Sequence, residues 1–130
     1  MTDWAPGGPV IGAITLFVED LDKAKGFYQD ALSLPITFED DDSAVFRFGP
    51  TLINLLRTSA APELIEPAQV ATADSGARFQ ITVPVEDVDR ACAQLTGRGV
   101  ELLNGPVDRP WGVRTASFRD PAGHIWEIAR

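Results

Sequence analysis

The chain has 130 residues, 11 Lys and Arg against 19 Asp and Glu, and a net charge of −8. This length makes one compact domain or two small halves sharing a core, and 45% hydrophobic with 23% charged residues excludes a disordered tail. An acidic balance without a basic stripe argues against nucleic acid and anionic membrane surfaces as partners.

A first strand is expected over residues 11–18. The apolar stretch 10–18 is far short of the roughly 20 residues that span a bilayer, and it runs into Glu19-Asp20 without a basic segment ahead of it, unlike a signal peptide. A helix follows from Asp20 to about Leu32. Leu21, Ala24, Tyr28, Ala31 and Leu32 recur at helical spacing, Phe27 broadens the stripe, Asp20 is the N-cap and Pro35 the stop. Strands are predicted over 36–39, 44–48 and 51–57, with the acidic run 39–42 as a solvated hairpin turn and Gly49-Pro50 as another. That acidic run lacks the spaced ligands and the Gly of an EF-hand calcium loop.

Residues 58–76 are rich in Ala, Pro, Ser and Thr and read as a linker. Beyond it come a strand over 77–83 and a helix from Asp87 to about Thr96, with Val88, Ala91, Cys92 and Leu95 as its apolar stripe. Cys92 on that stripe is a small core residue rather than a nucleophile. As the only cysteine it cannot form an intramolecular disulfide, which suits a reducing cytoplasm. Strands over 100–103, 115–119 and 124–129 complete the chain, separated by Asn104-Gly105-Pro106 and Asp120-Pro121-Ala122-Gly123.

An internal repeat organises these elements. The run Val18-Glu19-Asp20-Leu21-Asp22-Lys23-Ala24 matches Val85-Glu86-Asp87-Val88-Asp89-Arg90-Ala91 at an offset of 67 residues. Each half reads strand, helix and three strands. The expected fold is therefore α+β, with two βαβββ modules at 1–57 and 77–130 that together make one domain. Neither half alone would bury a comfortable core.

The sequence resembles the vicinal oxygen chelate superfamily, also called the glyoxalase/bleomycin-resistance/dioxygenase family. Two segments carry the likeness. One is Leu16 to Ala24 with Phe27-Tyr28 and Leu32. The other is Arg109-Pro110-Trp111-Gly112-Val113-Arg114, followed by Phe118-Arg119-Asp120-Pro121-Ala122-Gly123-His124-Ile125-Trp126-Glu127-Ile128. The resemblance implies two modules related by a pseudo-twofold, curling around a shared cleft, and usually a homodimer, often with modules arranged across chains. Such a fold hosts unrelated activities.

Metal-dependent members of that family draw one ligand from the first and last strand of each module. The matching positions here are Ala13, Asn54, Gln80 and Glu127. Ala13 has no donor, Asn54 and Gln80 offer neutral amides, and only Glu127 is charged. The family's glyoxalases, extradiol dioxygenases and epimerases use His in this set. The only histidine here, His124, lies three residues before Glu127, on the opposite face of a strand. The sequence thus looks closest to metal-free, bleomycin-resistance-like members, with no cofactor expected. A weakly held divalent metal at Glu127, Gln80 and Asn54 is the alternative.

Period-two alternation packs Ile14, Leu16 and Val18 under the helix and turns Ile81 and Val83 inward. Ala13, Thr15, Phe17, Asn54, Gln80, Thr82 and Glu127 are left toward the cleft. Trp111, in a loop-forming Pro-Trp-Gly, is a candidate for stacking on a planar or cationic ligand. Arg47, Arg78 and above all Arg114, just after that loop, are candidate anion anchors.

The leading expectation is a cytoplasmic homodimer that binds an apolar, aromatic or cationic small molecule, as in antibiotic sequestration. One alternative is a lyase- or isomerase-type enzyme with Glu127 as general base. The other is a non-catalytic module with a degenerate cleft.

Overall fold

The computed structural model describes residues 2–130. Eight strands form two four-stranded mixed sheets. β1 (Ala13–Val18), β2 (Ile36–Glu39), β3 (Ser43–Phe48) and β4 (Thr51–Arg57) assemble in the order β1-β4-β3-β2. β5 (Gln80–Pro84), β6 (Leu102–Asp108), β7 (Arg114–Arg119) and β8 (Ile125–Ala129) repeat it as β5-β8-β7-β6. In each sheet the first strand runs parallel to the last and the remaining pairs are antiparallel. The result is an α+β fold of two modules with no closed barrel.

The repeat is visible in the helix starts. Helix α1 (Leu21–Gly26) is capped by Asp20, whose Oδ1 accepts from Lys23 N at 3.0 Å. Helix α3 (Val88–Gly97) is capped by Asp87, which accepts from Arg90 N at 3.0 Å. Each carboxylate satisfies one orphan amide and faces the positive helix end. α1 continues as a π-helical turn over Phe27–Ala31, where Leu32 N donates to Phe27 O. The segment expected as a bare linker carries short helical turns at Thr58–Ala60 and Ala73–Ser75 and a one-turn helix α2 (Pro62–Ile65).

The acidic hairpin turn forms because Asp40 Oδ1 accepts from Asp42 N and from the amide and hydroxyl of Ser43. These bonds hold its carboxyl below the usual carboxylate value, the Ser43 hydroxyl being the largest cause.

β6 departs from the expected boundaries. The sequence placed a strand over 100–103 and a turn at Asn104-Gly105-Pro106, yet the strand runs on to Asp108. Two register shifts against β7 absorb the irregular residues. Gly105 makes this possible: its φ is +85°, and a Cβ there would lie 2.5 Å from Thr115 O. The strand expected over 77–83 begins only at Gln80.

The two modules share one hydrophobic core. Leu16, Val18, Phe46 and Ile53 of the first sheet belong to the same buried cluster as Ala116, Phe118, Trp126 and Ile128 of the second. The helix-bearing faces therefore pack toward each other. Trp126 stacks on Phe48 with centroids 4.9 Å apart and meets Tyr28 edge-on at 5.9 Å.

A polar chain runs through this core. The Tyr28 hydroxyl, on a fully buried side chain, donates to Asp120 Oδ2 at 2.6 Å and accepts from Trp126 Nε1 at 3.0 Å. Asp120 Oδ1 takes the amides of Ala122 and His124. The Asp-Pro-Ala-Gly turn thus presents a carboxylate, only 4% exposed, to the other module. Burial, and then the neighbouring Asp120 charge, push the Tyr28 phenol up, so its proton stays in place. His124 adds a second link, with Nε2 2.9 Å from Phe17 O.

Tyr28→Phe keeps the ring but strands the indole N–H and removes a donor from a buried carboxylate. Urea denaturation should show a loss of about 2–3 kcal/mol. Gly105→Ala should cost at least about 2 kcal/mol, because both φ and space are wrong for a side chain. Gly97→Ala, at an open helical position, should instead be neutral or gain up to about 1 kcal/mol.

Candidate functional site

Strand alternation divides the side chains of β1, β4, β5 and β8 between two faces. Leu16, Val18, Ile53, Leu55, Trp126 and Ile128 are buried on the core side. Thr15, Asn54, Thr82 and Glu127 alternate with them and lie on the opposite faces. Parallel pairing brings Thr15 opposite Asn54, and Thr82 opposite Glu127. Asn54 Nδ2 lies 3.5 Å from Thr15 Oγ1, and the Thr82 hydroxyl donates to Glu127 Oε1 at 2.8 Å. The two modules thus carry equivalent polar pairs, amide–hydroxyl on one and carboxylate–hydroxyl on the other. Ile125 shares the Glu127 face, and Leu52 and Leu56 share that of Asn54, so both pairs sit among apolar side chains.

The shared cleft implied by the resemblance is not formed within one chain. Because the helix-bearing faces meet in the core, the faces carrying Asn54 and Glu127 point away from it, on different sheets. Ala13 and Gln80 are both exposed, at the starts of the edge strands β1 and β5. Phe17 is half-buried on the outer side of β1, its carbonyl engaged by His124.

Two candidates lie elsewhere. Arg114 sits on the core-side face of β7, in register with Ala116 and Phe118. Its Nη2 and Nε reach Asp89 of α3 at 2.9 and 3.0 Å, and its Nη1 reaches Asp108 at 3.0 Å. These bonds raise its pKa further and hold Asp89 below the ordinary carboxylate value. The structure therefore places Arg114 as a tie between α3 and β6–β7, away from Glu127 and with its guanidinium already committed. Trp111 lies in the β6–β7 turn and is 71% exposed. That turn is closed by Gly112 N donating to Arg109 O, while the Arg109 side chain donates to Thr115 Oγ1. Arg47 is exposed near the β3–β4 turn, and Arg78 is exposed ahead of β5.

The four positions that would hold a metal in the family do not fit one here. Ala13 supplies no atom, Asn54 is neutral, and Glu127 and Gln80 sit on the other sheet. No three His, Cys, Asp or Glu gather among the described residues. Amides with one carboxylate are a poor set for a transition ion.

Sequence reasoning missed the space between the modules. A cavity of about 790 Å³ opens between the two helix-bearing faces, with Ile14, Ile53, Ile81, Val83 and Ile128 among its walls. Of the residues assigned to a cleft from sequence, Thr82 and Glu127 border it, as does Arg47 among the candidate anchors. Ile81 and Val83 were expected to pack inward. They touch the core but remain only partly buried, and that residual exposure is the cavity wall.

No helix among the described residues is long and apolar enough to cross a membrane. The family model described as Glyoxalase/Bleomycin resistance protein/Dioxygenase superfamily matches residues 10–128. A relative from Bacillus subtilis, described as uncharacterized protein YraH, is 36% identical over 119 residues, covering 88% of this chain and 93% of that one. Among solved structures, a glyoxalase/bleomycin resistance protein/dioxygenase from Nocardioides superposes with a TM-score of 0.84 at 25% identity. That alignment covers 96% of this chain and 85% of the other. A lactoylglutathione lyase from Agrobacterium tumefaciens gives 0.74 at 20% identity, with 95% and 94% covered, a likeness of fold alone. With the family model spanning nearly the whole chain over the repeated βαβββ architecture, this chain belongs to the glyoxalase/bleomycin resistance protein/dioxygenase superfamily.

Proposed function

We propose that this chain is a metal-independent small-molecule binder that acts by holding its ligand rather than transforming it. The observation that carries the reading is the pair of equivalent, outward-facing polar couples, Thr15–Asn54 and Thr82–Glu127, each set among apolar side chains. A few placed polar groups in an apolar setting are the usual make-up of a ligand site.

Each couple is half a site. A second copy of the chain, bringing its β5–β8 face against β1–β4, would complete two identical clefts, as a closed symmetric dimer allows. Glu127 supplies the charge for a cationic ligand, and the Thr82 hydroxyl fixes its carboxylate orientation. Asn54 and Gln80 offer neutral donors and acceptors, and the exposed Trp111 ring offers a stacking surface. The net charge of −8 adds steering toward a cation. Antibiotic sequestration is one use of such a cleft.

The test is a fluorescence titration with bleomycin as a cationic, aromatic probe, followed by mass spectrometry of the recovered ligand. The expected result is saturable quenching, weakened by added salt and by about tenfold in Glu127→Gln and in Trp111→Ala, with the ligand returned unaltered. Saturable binding of neutral planar aromatics but not of bleomycin would move the ligand class and keep the binder. A chemically altered ligand, with turnover lost in Glu127→Gln, would replace the reading with a lyase- or isomerase-type enzyme.

A further inference from the structure

We propose that the cavity between the two modules is a second ligand site, built for an amphipathic carboxylate. Its volume of about 790 Å³ lies inside the range of small-molecule sites, roughly 300–1,000 Å³. Its walls come mainly from the core-side faces of both sheets; Thr82 and Glu127 reach its border, whereas Thr15 and Asn54 do not line it. Ile14, Ile53, Ile81, Val83 and Ile128 give it an aliphatic interior, and Trp126 closes part of one wall. Burying a hydrocarbon tail there would yield roughly 25 cal/mol for each Å² of apolar surface removed from water.

The polar residues at the rim set the head group. Gln94 and Arg98 border the cavity from α3 and its C-cap, four residues apart and hence on one helix face. The Arg98 guanidinium spends one N–H, from Nη1, on Ala31 O at 3.1 Å, and its remaining donors meet no partner among the described residues. Arg47 borders the cavity from the other module. Among the described residues Glu127 is the only carboxylate along the border, and its Oε1 accepts from the Thr82 hydroxyl. In a chain with a net charge of −8, this rim is locally positive. The α3 C-terminus opposes an anion with about half a charge, which the full charge of Arg98 exceeds. Its free carbonyls are also capped, because Arg98 N donates to Gln94 O and Leu95 O. A planar fork of N–H donors at the mouth of an aliphatic cavity fits a carboxylate on a hydrocarbon body.

The experiment is calorimetric titration of the full chain with sodium dodecanoate, compared with dodecyltrimethylammonium bromide and 1-dodecanol. The expected result is one dodecanoate per chain, bound at least tenfold more tightly than either comparator. A Trp126 fluorescence change should persist in a Trp4→Phe/Trp111→Phe variant, which separates this site from one that uses Trp111. Arg98→Glu, at an exposed position, should weaken dodecanoate at least tenfold, and Val83→Trp should block it by filling the cavity. Asn54→Leu, on the outward face, should leave it unchanged. Absence of saturable binding, equal affinity for the cationic amphiphile, or full affinity in Arg98→Glu would overturn the proposal even if Val83→Trp fails to fold.

Discussion

The hydrogen-bonded chain Trp126–Tyr28–Asp120 decides how the two modules meet. Its three members come from β8, α1 and the β7–β8 turn, so it forms only when the helix-bearing faces of both modules pack together. A buried carboxylate and a buried phenol are costly to leave unmatched, and each satisfies the other here. The aromatic contacts of Phe27, Phe48 and Phe118 surround this polar chain and exclude water from it. Shape and hydrogen bonding therefore select one arrangement of two otherwise similar halves.

That arrangement has two consequences. It turns the outer faces of the sheets, with their matched Thr–Asn and Thr–Glu couples, away from the core. It also brings two aliphatic surfaces into proximity without closing them fully, and the space left over is the cavity between the modules. The ion ties at the periphery reinforce this layout locally: Arg114 joins α3 to β6 and β7. Those charges are largely exposed, so they fix geometry more than they stabilise it.

Much of this was legible in the sequence because local rules and tertiary packing agree. The repeated Asp caps, the helical stripe that includes Tyr28 and the period-two alternation of β1, β5 and β8 all have local physical causes. Alternation correctly separated the face of Leu16 and Val18 from that of Thr15, but it says nothing about what meets either face. The cavity was therefore invisible, and the shared cleft implied by the resemblance left open whether its walls come from one chain or two. Arg114 looked free because neither Asp89 nor Asp108 lies near enough in sequence to announce an ion pair across packed elements. Asn104-Gly105-Pro106 read as a turn because its residues are turn formers. Only the close approach of β7 shows that Gly105 serves a bulge within a strand.

The proposal of metal-independent binding rests on the chemistry of Ala13, Asn54, Gln80 and Glu127, a poor ligand set for a transition ion. The most direct measurement is a thermal melt of chelator-stripped protein with and without Mn(II), Fe(II), Co(II), Ni(II), Zn(II) and Mg(II). A site filled at about 100 times its dissociation constant would add roughly 2.7 kcal/mol. No shift in Tm is expected with any of these ions. A reproducible rise that disappears in Glu127→Ala would contradict the proposal and make Glu127 a metal ligand.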